Sequence, residues 1–477
     1  MTPTVEERGT RGLFALVTDS GHRDSTIVEQ LTDNTVAELT AAGVVGTTPV
    51  VLCLPNEVRW VAAYLALARI GAVSVPLNAG SAINEIAQVL EDSGARLALV
   101  PAAMAAGLAD RFPDRLFWPD GVATGARMSP GPNLPDEVMT IAYTSGTTGR
   151  PKGVLQTRRA VTLGGRNIAD RLSLNSGDVV LTALPLAHSY ATNVLNATVW
   201  SGATAVVLPR FDETHLVATA RRCGATVLAG VPTMYRRLLD QPNVSLPRLR
   251  CVVSAGQSAG ADLATQWERS TGTAFVEGWG MTELAGFAAL AAPDLPGRHG
   301  TVGTAVSGVR VQVDTGAPFG DARTGELCVA GPLVTPGHLN AARPIADGAW
   351  LRTGDLGSIG ADGLVRILGR AKDVVLSGGF SIYPAEVERV LARHPDVEDV
   401  AVAGLPDPVR GEITCAWIVP RAGARLTVAR IVEFCRPHLA TYKMPRQIVV
   451  LPELPLSATG KLLRRDLPTP PAAGAPA

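Results

Sequence analysis

Residues 50–100 read VVLCLPNEVRWVAAYLALARIGAVSVPLNAGSAINEIAQVLEDSGARLALV. VVLCL is a short apolar run bounded by proline, and Asn56 stands where it can cap a helix running to about residue 70. A second run, AVSVPL at 72–77, is followed by a helical pattern over 83–92 and by a third strand, RLALV, at 96–100. Short strands without polar alternation, separated by helices, are the signature of parallel βαβ units buried on both faces. The rhythm returns after Asp178. DVVLTALP, TAVVL, ATVLAG, RCVVSAG and TAFVEG read as strands, with helices over 213–223 and 259–270. Past Gly303 the strand-like pieces VRVQV, GELCV and GLVRIL are short and punctuated by glycine, which predicts a β-rich subdomain.

From about Val374 a smaller α+β unit begins. DVVLS leads to a helix opened by Pro384, a residue favoured at the first helical position. VEDVAVAGL, ITCAWIV, a helix over 428–438 and QIVVL follow. The expected organisation is α/β: a large N-terminal domain (1–371), a small C-terminal domain (372–467) and a disordered Pro/Ala tail (468–477).

The chain has 477 residues, 43 Lys+Arg and 43 Asp+Glu. Zero formal charge gives no global attraction to nucleic acid or anionic lipid, so anion binding must be local. Six scattered cysteines without a CxxC pair fit buried thiols rather than a disulfide framework or a metal site. The first ten residues carry two glutamates and no apolar core, unlike a signal peptide. The most apolar stretch, 61–77, is interrupted by Arg69 and Gly71 and is too broken to span a membrane. The chain reads as soluble and cytoplasmic.

The strongest chemical signal is TSGTTGRPKG, following the apolar strand VMTIAY. Gly146 and Gly149 let backbone N–H groups approach phosphate oxygens. Thr144, Ser145, Thr147 and Thr148 supply hydroxyls, and Lys152 adds positive charge. The spacing differs from the GxxxxGK[ST] loop of NTPases. An ordinary Gly/Ser/Thr surface loop is the alternative for this segment in isolation.

The segment resembles the phosphate-binding signature of the adenylate-forming superfamily, which includes acyl-CoA synthetases, adenylation domains and luciferases. Further motifs follow in family order, and the resemblance extends from about residue 54 to 467. LPLAHSY places His188 at the acyl pocket. SAGQS places Gly256 and Gln257 at adenine, although Gln257 stands where a small residue is common. GWGMTE (278–283) resembles the aromatic–GxTE motif, with Trp279 where tyrosine is commoner. By that resemblance Trp279 stacks on adenine, Gly280 and Met281 belong to the nucleotide loop, Thr282 meets the α-phosphate and Glu283 holds Mg²⁺. RTGDL gives Asp355 to the ribose hydroxyls. GRAKD gives Arg370 to ribose or phosphate and Lys372 to the interdomain hinge. The paired Gly378 and Gly379 resemble the backbone lining a pantetheine tunnel. SATGK resembles the loop that delivers a catalytic lysine, here Lys461, between carboxylate and α-phosphate.

The resemblance implies ATP-dependent conversion of a carboxylic acid to its acyl-AMP, then transfer to a thiol, with ATP, Mg²⁺ and CoA as ligands and a rotating C-terminal domain. Loading a carrier protein's phosphopantetheine, or activating an unusual small acid, are alternatives. A non-catalytic binding protein is disfavoured because Lys461, Glu283 and Asp355 are all present. Residues 179–209 contain no Asp or Glu to hold a substrate ammonium, and 189–201, 225–234 and 284–292 contain no Lys or Arg for a second carboxylate. With the small Ala285 and Gly286 nearby, an uncharged aliphatic or aryl monocarboxylate is expected.

Overall fold

The computed structural model describes residues 16–18, 21–23, 25–129, 134–135, 137–144, 151–241, 244–315, 324–341, 345–377, 380–424, 426–456 and 462–470. The expected α/β architecture is present. One six-stranded sheet runs Leu116–Pro119, Leu97–Val100, Pro49–Leu52, Val73–Pro76 and Val138–Thr144, all parallel, with Lys152–Thr157 antiparallel at its edge. A second sheet has the parallel series Ala274–Met281, Cys251–Ser254, Val227–Gly230, Val179–Thr182 and Thr204–Val207. Gly286–Leu290 and Thr304–Ala305 add antiparallel strands beside Ala274–Met281. The central strands are buried along their whole length, which is why they carry no polar alternation.

Helix Val58–Arg69 is apolar on every side from Trp60 to Ala68, as a helix enclosed by protein must be. The expected cap is corrected here. The helix is preceded by Glu57 in extended conformation with no side-chain cap. Asn56 turns away and is buried. Its Nδ2 donates to the carbonyls of Leu184 (2.8 Å) and Leu208 (3.1 Å), and its Oδ1 accepts from the Leu186 N–H (2.8 Å). Three otherwise orphaned backbone groups of the second sheet's loops outweigh one helix N–H in claiming that amide.

The β-rich part is an antiparallel sheet of Arg310–Asp314, Thr324–Ala330, Leu351–Ile359 and Val365–Arg370. Beyond the 3₁₀ turn Ala371–Asp373, a separate sheet of Phe380–Ile382, Val375–Ser377, Gly411–Pro420, Val397–Asp407 and Gln447–Val450 packs on helices Pro384–Leu391 and Val428–Cys435. Its own core, including Val375, Ile382, Val387, Leu391, Ile418 and Ile431, makes it the small C-terminal domain. Trp417 Nε1 donates to the Pro468 carbonyl at 2.9 Å, so packing continues one residue into the expected tail. Residues 471–477 of that tail lie outside the described residues. Arginines of the small domain meet carboxylates of the large one: Arg393 with Asp262 at 2.6 Å and Arg421 with Asp240 at 3.5 Å.

Candidate active site

A cavity of about 650 Å³ lies between the two domains. Gly256, Gln257, Trp279, Gly280, Asp355 and Arg370 line it from the large domain, and Glu388, Leu456, Leu462 and Arg464 from the small one. Leu456 and Leu462 pair as an antiparallel bridge that flanks the segment carrying Lys461. Lys461 itself, with Ser457, Ala458, Thr459 and Gly460, lies outside the described residues.

The chain reaches this cavity through strand Ala274–Met281. Its register shifts between Trp279 and Gly280 against Gly286–Leu290. At Gly280 a Cβ would stand 2.1 Å from the Gly286 carbonyl oxygen and 2.9 Å from the Phe287 Cα, so only glycine fits. The closeness turns the chain into the 3₁₀ turn Thr282–Leu284, with Ala285 left-handed at φ 46°. Gly256, with φ 84°, makes the corresponding turn after Cys251–Ser254.

Asp355 is buried and doubly held. Trp279 Nε1 donates to its Oδ2 at 2.8 Å, and Arg370 Nε lies 2.5 Å from its Oδ1. Arg370 is its register partner across the antiparallel ladder, and the Asp355 N–H donates to Thr353 Oγ1 at 3.1 Å. Glu277, two residues before Trp279, is 5% exposed. Burial pushes its carboxyl up to about 7, opposed by the Ala259 N–H donating to Oε2 at 2.9 Å and by the charge of Arg389. Its Oε1 has no hydrogen-bond partner among the described residues, and neither has Ser254 Oγ, whose residue is its register partner.

A second group of expected residues adjoins the first without lining the cavity. Thr144 and Lys152 are paired at the mouth of the Gly/Thr loop. Ser145, Gly146, Thr147, Thr148 and Gly149 of that loop lie outside the described residues. His188 is exposed and caps helix Ser189–Ser201, its Nδ1 accepting from the Tyr190 N–H at 3.3 Å. The buried Gln156 amide donates to the Thr282 carbonyl at 2.8 Å and to Ser189 Oγ at 3.3 Å, tying the turn of Thr282 and Glu283 to the segment after His188. Glu283 Oε1 lies 3.8 Å from His338 Nε2, and its carbonyl accepts the Thr335 N–H at 2.8 Å. Met281 is half-buried beside them. Lys372 sits in the turn joining the β-rich sheet to the small domain. Gly378 and Gly379 lie outside the described residues.

Sequence reading missed Gln156, Glu277 and His338. Gln156 shares a strand face with Lys152 by two-residue alternation, and Glu277 immediately precedes the GWGMTE motif within its strand, so position alone could have flagged both. His338 comes from a distant loop and had no local signal. No cluster of three or more His, Cys, Asp or Glu side chains suited to a metal occurs among the described residues. A lone half-buried carboxylate such as Glu283 fits Mg²⁺, which takes few protein oxygens when substrate phosphates complete its shell.

This arrangement brings an aromatic ring, a fixed carboxylate and an arginine to one cavity between two domains. The family description for AMP-binding enzymes matches residues 28–339, and that for the AMP-binding enzyme C-terminal domain matches residues 386–461. The chain belongs to the AMP-binding enzyme family and is an AMP-forming acid–thiol ligase. It is 34% identical over 444 residues to a feruloyl-CoA synthase of Amycolatopsis sp., covering 90% of each chain. It is 31% identical to 4-coumarate–CoA ligase 5 of Oryza sativa subsp. japonica, covering 94% of this chain and 90% of that one. Its fold matches o-succinylbenzoate CoA synthetase (MenE) of Bacillus subtilis in complex with the acyl-adenylate intermediate OSB-AMP. That match has TM-score 0.87 and 27% identity, over 98% of this chain and 99% of the other. The same enzyme has been solved with ATP and a magnesium ion, and matches with TM-score 0.85 and 28% identity. No helix among the described residues is long and apolar enough to cross a membrane.

Proposed function

We propose that the chain is an acyl-CoA ligase for an uncharged monocarboxylic acid, with an aryl acid favoured, and that ATP, Mg²⁺ and free CoA are its co-reactants. The observation that carries this reading is the doubly held Asp355 beside Trp279 in a cavity closed by the small domain. It supplies an aromatic face and a fixed acceptor for a nucleoside. The uncharged acid class is supported by the absence of charge along helix Ser189–Ser201. The names of the feruloyl and coumarate relatives point to an aryl acid.

A carboxylate is a poor electrophile because thiolate attack would have to expel oxide. In the first half-reaction a substrate carboxylate oxygen bonds to the α-phosphorus of ATP and pyrophosphate leaves. In the second, the CoA thiolate attacks the acyl carbon and AMP leaves. In this reading Asp355 and Arg370 orient the ribose, Thr282 donates to the α-phosphate, and Lys461 offsets the charge that builds between carboxylate and phosphate. Mg²⁺ at Glu283, when bound, neutralises phosphate charge. His188 borders the acid, and Gln156 holds the Thr282 turn in register with it. Lys372 serves as the hinge and Gly378–Gly379 as the pantetheine passage.

The test is pyrophosphate release with ATP and Mg²⁺ across a panel of acids, with and without CoA, beside Lys461→Ala. One aryl monocarboxylate should support release, and CoA should convert the resulting acyl adenylate to thioester and AMP. A dicarboxylate or an amino acid as best substrate would overturn the acid class. Release indifferent to CoA would move the acceptor to a carrier protein.

A further inference from the structure

The side chain that the nucleotide reading assigns to ribose is held from two directions by two different sheets. Arg370 reaches Asp355 Oδ1 from the neighbouring strand of the β-rich sheet. Trp279 reaches Oδ2 from the end of a strand in the parallel sheet. The backbone of Asp355 is fixed by its N–H bond to Thr353 Oγ1, whose own hydroxyl donates to the Leu327 carbonyl at 2.7 Å. What remains free is rotation of the carboxylate about its last bond, a broad torsion with little intrinsic preference. One donor on each oxygen removes that freedom. Together these two bonds set the plane of the carboxylate.

The indole is suited to this in a way a plain ring is not. Trp279 is 7% exposed and Asp355 5%, so the bond between them is made away from water, where a charged acceptor strengthens it. A phenylalanine at 279 offers the same face to a base and no donor to Asp355. We propose that Trp279 is a positioning residue: its indole N–H fixes the Asp355 carboxylate so that the site selects nucleotides carrying both ribose hydroxyls. The proposal rests on the reading of Asp355 as the ribose acceptor. It separates two functions that a single aromatic residue would otherwise merge, stacking on the base and discrimination at the sugar.

The experiment is equilibrium binding of ATP, 2′-deoxyATP and 3′-deoxyATP to the full chain by titration calorimetry, without acid or CoA. It compares wild type, Trp279→Phe, Asp355→Asn and the double variant. Wild type should prefer ATP. Trp279→Phe should lower the ratio of ATP to deoxynucleotide affinity by about tenfold, the scale of one buried bond to a charged group. The same change on the Asp355→Asn background should leave the ratio nearly unmoved. Replacing the indole of residue 279 by its benzothiophene isostere removes only the N–H and should reproduce the loss, even where Trp279→Phe folds poorly. If all three nucleotides weaken in parallel, Trp279 is only a stacking face and the proposal is overturned. If wild type binds ATP and both deoxynucleotides equally, Asp355 is not the ribose acceptor. The proposal then falls while the nucleotide site stands. If wild type binds no ATP, both fall.

Discussion

Glu277→Gln tests whether a buried carboxyl beside the cavity is kept protonated. Unfolded, a glutamate ionises near its ordinary value of 4.5, whereas in the folded chain burial raises Glu277 to about 7. The sign follows from proton counts: between those values the folded state holds the proton and the unfolded state has released it, so stability falls as pH rises. The effect is absent below the lower value, complete above the higher one, and amounts to about 3 kcal/mol in full. Glutamine keeps an acceptor for the Ala259 N–H and cannot ionise. Urea unfolding of both proteins at fixed ionic strength should therefore show wild type losing about 2–3 kcal/mol relative to the variant between pH 5 and 8. The gap should close again toward pH 4. Parallel stability profiles across that range would refute the reasoning, because they would mean that Glu277 ionises as readily folded as unfolded.

Gly280→Ala should disrupt the site through backbone contact alone, since the added carbon would overlap the Gly286 carbonyl oxygen. Overpacking of this kind destabilises by about 1–3 kcal/mol. Pyrophosphate release should fall at least tenfold, and activity within twofold of wild type would contradict the geometry. Asn56→Ala should lower stability by about 3 kcal/mol, because it strands the Leu184 and Leu208 carbonyls and the Leu186 N–H in a dry interior. A urea midpoint unchanged from wild type would show that the amide does not join the sheets.

The elements that sequence reading found most cleanly are those whose pattern is local. The helix expected over 213–223 is Glu213–Cys223, capped by Asp212, and Pro384 opens its helix as expected. Helix Ser189–Ser201 was not legible, because every residue from Tyr190 to Trp200 is buried and a helix enclosed on all sides has no amphipathic period. Helix Arg158–Arg171 hides behind Gly164 and Gly165, residues that disfavour helices. Their reason is tertiary: a Cβ on Gly164 would stand 2.5 Å from the Ala285 carbonyl oxygen, and one on Gly165 would stand 2.7 Å from the Asn196 Cβ. The residues that line the cavity from the large domain were legible as ordered motifs. The bonds among them were not, because Trp279 and Asp355 stand 76 positions apart and nothing local in either stretch announces the other.

The ion pairs between the domains set how tightly they adhere. Arg393 and Asp262 have side chains 46% and 58% exposed, and Arg421 and Asp240 50% and 56%. Wet, screened contacts of this kind contribute at most about 1 kcal/mol each. The seam therefore behaves as a light fastener rather than a weld: thermal energy suffices to part it, and dissolved salt loosens it further. Under the proposed two-step reaction, a joint so easily undone would let the small domain swing away between half-reactions without a slow release of its own.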